Sequence, residues 1–129
     1  MKSKNEIIDD VQESISHVVK ASRFSVDGLA ACFRRERAFR IECLIGVVHI
    51  ALVAILPVGL FFAALLVSAW LALLAAEIVN SAIEEVVDMV SPHWSPGAKR
   101  AKDYGSAIVL LASAALVATW GFAIVAMVL

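Results

Sequence analysis

The stretch VGLFFAALLVSAWLALLAAEIVNSAIEEVVD, residues 58–88, decides the fold of this chain. Residues 58–76 carry no charge, and the polar residues Glu77, Asn80, Glu84 and Asp88 then follow at spacings that share one stripe of a helix. An ionisable group beside a lipid-facing segment is energetically expensive and marks a functional site by default. The stretch therefore predicts a membrane helix whose polar end forms one wall of a site.

The composition agrees with a membrane setting. Of the 129 residues, 61% are hydrophobic, and the mean hydropathy is +0.87, which is more apolar side chain than a soluble domain of this size can bury. The formal net charge of -1 gives no reason to expect a nucleic-acid partner. The two cysteines, Cys32 and Cys43, form neither a disulfide framework nor a metal-binding spacing.

The apolar runs and the helix-breaking residues predict an all-α fold with three transmembrane helices and an N-terminal surface helix. Apolar residues at helical spacing between Ile7 and Val19 indicate an amphipathic helix, and SVDG at 25–28 predicts a turn after it. Pro57 ends the first span, and the prolines of SPHWSPGA at 91–98 end the second. We expect a single membrane domain over 1–129, with a surface helix at 5–23, a helix at 29–56 entering span one, span two at 58–90, a cytoplasmic loop at 91–98 and span three at 99–129.

The basic residues predict the orientation of the spans. All 11 lysine and arginine residues lie either before residue 41 or between spans two and three, at 99, 100 and 102. Because lysine and arginine concentrate in cytoplasmic segments, the N-terminus and the 91–98 loop are expected in the cytoplasm and the C-terminus outside.

The acidic residues gather toward the same predicted cytoplasmic ends of the spans. Glu77 and Glu84 are separated by about 10.5 Å along a helix, which is too far for direct sharing of one ion. A division of roles fits better, in which Glu84 holds a metal ion with its nucleotide and Glu77 acts as a base deeper in the membrane. The residues alone are equally compatible with a proton or cation pathway.

Three segments, RERAFRIE (35–42), EIVNSAIEEVVD (77–88) and AKDYGSA (101–107), closely resemble the bacterial integral-membrane diacylglycerol kinases. The resemblance covers roughly residues 17–129, including the three-span layout. It implies Mg²⁺-dependent transfer of the γ-phosphate of ATP to diacylglycerol, giving phosphatidic acid, at the bacterial inner membrane. It also implies a homotrimer whose active sites form between neighbouring protomers.

The resemblance assigns roles to individual residues. Glu77 matches the general base beside the lipid hydroxyl, while Glu36 and Glu84 match ligands of the Mg²⁺ ion and the ATP phosphates. The other positions that match ATP-binding residues are Asn80, Lys102, Asp103, His17, Phe24, His93, Trp94 and Ser95. The other positions that match lipid-contacting residues are Ser106, Lys20, Ala38 and Arg40. His17 and Phe24 depart from the arginine and tyrosine that are common at their positions in the family.

Two alternatives accompany this interpretation. A sister branch with the same fold phosphorylates undecaprenol, but the AKDYGSA segment resembles the diacylglycerol branch more closely. A small transporter or channel subunit would use Glu77 and His49 as a proton relay. Deeper in the membrane than Glu77, the only polar groups of spans two and three that could relay a proton are the hydroxyls of Ser68, Ser113 and Thr119. A continuous polar path is therefore missing. We expect His49 to be a hydrogen-bonded residue of the core.

Overall fold

A computed structural model describes residues 4–129 of the chain, and the side chains of residues 4–11, 13 and 14 lie outside that description. The predicted all-α fold is confirmed over these residues. The four helices are α1 (Lys4–Arg35), α2 (Arg37–Ile55), α3 (Gly59–Val90) and α4 (Pro96–Val128). Helix α1 belongs to one compact unit, and Glu36–Leu129 forms a second, which contains the other helices.

Helix α1 is longer than the sequence predicts. The turn expected at 25–28 is wrong, because these residues are helical. The hydroxyls of Ser22 and Ser25 donate to the carbonyl oxygens of Val18 and Ala21 at 2.9 and 3.1 Å, so both serines bond within the helix rather than starting a turn. The glycine at 28 costs such a helix about 1 kcal/mol, which the surrounding turns outweigh.

The chain leaves helical geometry at Glu36 instead, so the uninterrupted helix expected over 29–56 is also wrong. Glu36 has an extended backbone, with φ -93° and ψ 116°, and occupies the N-cap position of α2. Arg34 and Arg35 occupy the last turn of α1. Positive charge at a helix C-terminus and negative charge at a helix N-terminus are both favourable, so this charge order suits a break at residue 36.

Two short connections place α2, α3 and α4 side by side in alternating directions. After Pro57, Gly59 adopts φ 71°, a left-handed conformation that favours glycine, and α3 begins there. The second connection is shorter than the expected 91–98 loop, because Ser95 caps α4. Its hydroxyl accepts the backbone N–H of Ala98 at 3.1 Å, and Pro96 takes the first helical position.

Helices α2, α3 and α4 are each long and apolar enough to cross a membrane. The residues buried between them are few, with Val58, Leu66 and Ala123 at the centre of the apolar core. Many large apolar side chains remain exposed on the outer faces, among them Leu60, Phe61, Leu71, Leu110 and Val117. Such faces suit a bundle surrounded by lipid, where helices associate through close packing and hydrogen bonds.

His49 joins the three long helices through hydrogen bonds. The indole N–H of Trp120 on α4 donates to Nδ1 of His49 at 3.1 Å, and Nε2 of His49 lies 3.2 Å from the backbone oxygen of Leu66 on α3. Because an indole N–H can only donate, Nδ1 accepts and Nε2 carries the proton. His49 is buried and has both nitrogens engaged, which confirms the expectation of a hydrogen-bonded core histidine.

Helices α2 and α3 make their closest approach where the indole of Trp70 covers Gly46. A Cβ atom added at residue 46 would overlap atoms Cζ2, Cε2 and Nε1 of Trp70. A small residue therefore lets the α2 backbone meet a large ring, as is common between membrane helices.

We predict that Gly46→Ala lowers the stability of the protein by about 1–3 kcal/mol, because the indole has to move to admit the new methyl group. Thermal unfolding in detergent micelles measures the effect as a lower Tm. Gly121→Ala on α4 is the matched control, since a Cβ there meets nothing within 4 Å. Equal Tm values for the two variants would contradict the packing described.

Candidate active site

Three carboxylates come together near the end of the bundle where α2 begins and α3 ends. Glu77 on α3 is buried, with 6% of its surface exposed, while Glu36 and Glu84 are half-buried. The Glu77 carboxylate lies close enough to those of Glu84 and Glu36 for electrostatic repulsion. The cluster therefore concentrates negative charge, which favours a bound cation.

Asn80 connects this cluster to α4. Its amide nitrogen donates to Oε1 of Glu84 at 3.4 Å. Its oxygen, Oδ1, is shielded from solvent and has no hydrogen-bond partner, and it faces the backbone of Gly105, where an added Cβ would overlap it. The close approach of α3 and α4 at this point therefore depends on glycine, and it holds Asn80 where it can orient Glu84.

A fourth carboxylate, Glu42 on α2, has no role in the sequence-based prediction but belongs to the same site. It lies within electrostatic range of Glu77, and its Oε2 atom is shielded from solvent without a hydrogen-bond partner. The sequence signal was available, because Glu42 is the one acidic residue in the apolar run 41–56. A carboxylate oxygen shielded from solvent needs a partner, so the half-buried Glu42 and the buried Glu77 together form a polar spot that a hydroxyl group can satisfy.

Glu42 also borders an apolar cavity of about 270 Å³ between α2, α3 and α4, which we call the interhelical groove. The other residues that line the interhelical groove are Ile45, Val48, His49, Leu52, Trp70, Leu73, Leu116, Val117 and Trp120. The interhelical groove thus combines apolar walls with a carboxylate at one end, which suits a molecule with a hydrocarbon body and a polar head.

A second cavity, of about 330 Å³, lies where α3 ends and α4 begins, and most of the residues that line it are polar or charged. We call it the polar cavity. It brings together five of the residues predicted to bind ATP, namely His93, Trp94, Ser95, Lys102 and Asp103. Lys102 pairs with Asp88 and Lys99 with Asp103, each at 2.6 Å. Lysines in a concave surface offer charge to an anionic ligand such as a phosphate group.

The remaining predicted site residues are placed less decisively. Ser106 is exposed beside Gly105, Ala38 is exposed, and Arg40 is half-buried in the first turn of α2. His17, Lys20 and Phe24 are exposed on α1, which belongs to the other compact unit.

Comparison with known proteins shows the family of this chain. The sequence model of the family described as prokaryotic diacylglycerol kinase matches residues 23–124. The chain belongs to the prokaryotic diacylglycerol kinase family. The diacylglycerol kinase of Haemophilus influenzae is 35% identical over 107 residues, which cover 83% of this chain and 91% of the relative. The diacylglycerol kinase of Pseudomonas aeruginosa is 38% identical, over 84% and 89% of the two chains, and that of Escherichia coli K12 is 37% identical, over 81% and 86%.

Family membership and the three long apolar helices make the chain a membrane-embedded lipid kinase. The family match spans Glu36, Glu77, Glu84 and the residues of the polar cavity. It begins at residue 23, so His17 and Lys20 lie outside it. The prediction of an enzyme rather than a transporter is confirmed.

The acidic cluster of the kinase is suited to Mg²⁺ bound together with a nucleotide. Within the described part of the chain, no group of three or more histidine, cysteine, aspartate or glutamate side chains forms a metal site. Mg²⁺ in phosphate-transferring enzymes usually takes only one or two protein carboxylates, with phosphate oxygens and waters as its other ligands. Glu36 and Glu84 are two carboxylates that could hold such an ion.

We predict that Gly105→Ala lowers kinase activity by ten- to a hundredfold, since a displaced Asn80 can no longer orient Glu84 and small misplacements are costly in catalysis. Lipid phosphorylation per folded molecule in detergent–lipid micelles gives the measurement. Gly121→Ala lies on the same helix with free space around it and serves as the control. Wild-type activity in Gly105→Ala would show that the Asn80 contact is unimportant for catalysis.

Proposed function

We propose that this kinase transfers the γ-phosphate of MgATP to the free hydroxyl of diacylglycerol, forming phosphatidic acid at the cytoplasmic face of a bacterial inner membrane. The observation that carries the proposal is the position of buried Glu77, beside Glu42 at the interhelical groove and beside Glu84 on the side of the polar cavity. The relatives with 35–38% identity are diacylglycerol kinases, which supports the choice of lipid.

The interhelical groove is suited to the hydrocarbon part of the lipid. Its walls are apolar apart from Glu42, His49 and the two indoles, so acyl chains from the bilayer find there an equally apolar surface and gain by close packing. A lipid seated this way brings its hydroxyl to the end where Glu42 and Glu77 lie. Glu42 then accepts a hydrogen bond that its Oε2 atom otherwise lacks.

Glu77 acts as the general base in this proposal. It accepts the proton of the lipid hydroxyl while the hydroxyl oxygen forms a bond to the γ-phosphorus of ATP. The bond between the γ-phosphorus and the β,γ-bridging oxygen breaks, and ADP leaves with that oxygen. Burial suits Glu77 to this role, because a poorly solvated carboxylate is a stronger base than a hydrated one.

Glu36 and Glu84 hold the nucleotide through its Mg²⁺ ion, which supplies positive charge against the phosphate oxygens. Asn80 keeps Glu84 in place. Lys102 adds a second positive charge. Its present partner, Asp88, is 65% exposed, and an exposed ion pair contributes little to stability. Lys102 can therefore exchange Asp88 for a phosphate oxygen at small cost, while Asp103, His93, Trp94 and Ser95 enclose the nucleotide.

The orientation, the surface helix and the assembly complete the proposal. The distribution of all 11 basic residues supports a cytoplasmic N-terminus and an external C-terminus. Exposed apolar side chains on α1, including Ile15, Val18 and Val19, support its attachment to a membrane surface. The family resemblance supports a homotrimer with shared active sites, in which His17 and Phe24 contact ATP and Lys20, Ser106, Ala38 and Arg40 contact lipid.

A lipid panel tests the function directly. Purified wild-type protein in mixed micelles is given labelled ATP with diacylglycerol, with undecaprenol, or without added lipid. We expect Mg²⁺-dependent label in phosphatidic acid and little in the other two reactions. Label confined to undecaprenyl phosphate would place the protein in the sister activity, and label in no lipid would refute the proposal.

We predict that Glu77→Gln reduces kcat for diacylglycerol phosphorylation by about 10²- to 10⁴-fold, because the amide cannot accept the hydroxyl proton. Binding of MgATP, followed by equilibrium titration, should stay near the wild-type affinity. Glu85→Gln, a change at an exposed acid on the same helix, should keep its activity. A Glu77→Gln variant with wild-type kcat would rule out the base assignment.

For the metal ligand, we predict that Glu84→Gln raises the Mg²⁺ concentration needed for half-maximal activity and weakens ATP binding in parallel, since one of only two carboxylate ligands is lost. Activity titrations with Mg²⁺ at fixed ATP, and with ATP at saturating Mg²⁺, measure both effects. An Mg²⁺ titration that matches the wild type would count against Glu84 as a ligand.

A further inference from the structure

The indole N–H of Trp70 is a buried hydrogen-bond donor that the proposed chemistry leaves unused. Trp70 lines the interhelical groove, yet its Nε1 atom is shielded from solvent and has no acceptor. Trp120, in the same groove, donates its N–H to His49 at 3.1 Å. A buried N–H without a partner is costly, and more so among membrane helices, where water cannot serve as the acceptor. An acceptor supplied by a ligand would remove that cost.

The position of this N–H relative to the carboxylates defines the ligand. Trp70 Nε1 lies against Gly46, four residues after Glu42 in the sequence and therefore about 6 Å further along α2. Glu42 in turn lies within electrostatic range of Glu77. Glu42 and the Trp70 indole thus line the same groove about one helical turn apart, with the indole N–H lying against Gly46.

A glycerol ester carries groups that match this arrangement. In a diacylglycerol, the free hydroxyl and the nearest ester carbonyl oxygen are separated by about five covalent bonds, on the order of 6 Å when extended. A polyprenol has no oxygen beyond its hydroxyl, and a dialkylglycerol has only ether oxygens, which lack the carbonyl acceptor. Of these three lipids, only the ester offers a strong carbonyl acceptor at that separation from its hydroxyl, since an ether oxygen is a weaker acceptor and lies closer to the hydroxyl.

We propose that Trp70 donates its indole N–H to an ester carbonyl of the bound lipid and thereby selects glycerol esters over lipids that lack an ester. A rotation of the indole about its bond to Cβ turns the N–H from Gly46 toward the groove. The inference rests on the proposed function and deepens it, because it names the chemical group that distinguishes diacylglycerol from undecaprenol. A site built to hydrogen-bond a substrate group discriminates against analogues without it, since its own polar atom is then left unpaired.

The test compares a 1,2-diacylglycerol with the 1,2-dialkylglycerol of the same chain length and unsaturation in identical mixed micelles. Wild-type protein is expected to favour the ester in kcat/KM by about three- to tenfold, the range of one net hydrogen bond. Trp70→Phe keeps an aromatic ring but removes the N–H. We expect its kcat/KM for the ester to fall to that for the ether, with KM for ATP unchanged.

Trp120→Phe is the matched control for this ratio. It also removes an indole from the interhelical groove, but that indole already donates to His49. We therefore expect a less stable protein whose ester-to-ether ratio stays at the wild-type value. Trp70→His, which keeps a ring N–H, should retain part of the preference and guards against a purely steric effect in Trp70→Phe.

The outcomes separate the two proposals. Equal use of ester and ether by the wild type, or an unchanged ratio in Trp70→Phe, would overturn the role of Trp70 while leaving diacylglycerol kinase activity intact. Absence of phosphatidic acid from the wild-type reaction would overturn the proposed function and this inference with it. The wild-type comparison requires no variant to fold, so it can overturn the role of Trp70 even if Trp70→Phe is unstable, and Trp70→His then tests whether the preference depends on a ring N–H.

Discussion

Polar atoms between the long helices have no water to bond, so each needs a partner within the protein or on a ligand. His49 meets this constraint fully, since its two nitrogens bond to Trp120 and to the Leu66 backbone and join three helices. Glu42, Trp70 and Asn80 do not meet it, because each has a shielded polar atom without a partner. His49, whose hydrogen bonds are complete, helps to hold the helices together. The unpaired atoms of Glu42, Trp70 and Asn80 lie around the place where substrates are proposed to bind.

The site is a boundary between two environments on either side of Glu77. The interhelical groove is apolar and lies along the helices, whereas the polar cavity is lined by lysines and acids at the end of α3. A lipid kinase has to join a substrate held in the membrane to a highly charged nucleotide from water. Helix α3 suits this task because it passes from an uncharged segment, 58–76, directly into a stripe of acids and one amide. One rigid element therefore sets the spacing between Glu77 and Glu84, the proposed base and metal ligand.

Glycine has a specific part in this design at two contacts. At Gly46 the α2 backbone meets the Trp70 indole, and at Gly105 the α4 backbone meets the Asn80 side chain. The first contact shapes the wall of the interhelical groove, and the second holds the residue that bonds to Glu84. Helix packing and site geometry are therefore not separable in this protein, because the same close approaches create both.

The sequence by itself determined the helical class, the three apolar spans and the family. Span length, charge-free runs and the acidic motif are local properties, so they can be recognised without knowledge of how the helices pack. The sequence also predicted that Glu77 and Glu84 share one stripe of a helix, because residues on one helix keep their spacing, whereas the role of Glu36 came from the family resemblance alone. It misplaced the end of α1. Residues 25–28 are helical because the adjoining turns of the helix outweigh their weak helix propensity, and the helix ends before Glu36, where the charge order suits a break. Only the tertiary structure revealed Glu42 opposite Glu77, the hydrogen bonds of His49, and the Trp70 N–H without an acceptor. Those features depend on which faces of α2, α3 and α4 meet, and the relative rotation of helices is set by packing between distant residues that no single stretch of sequence encodes.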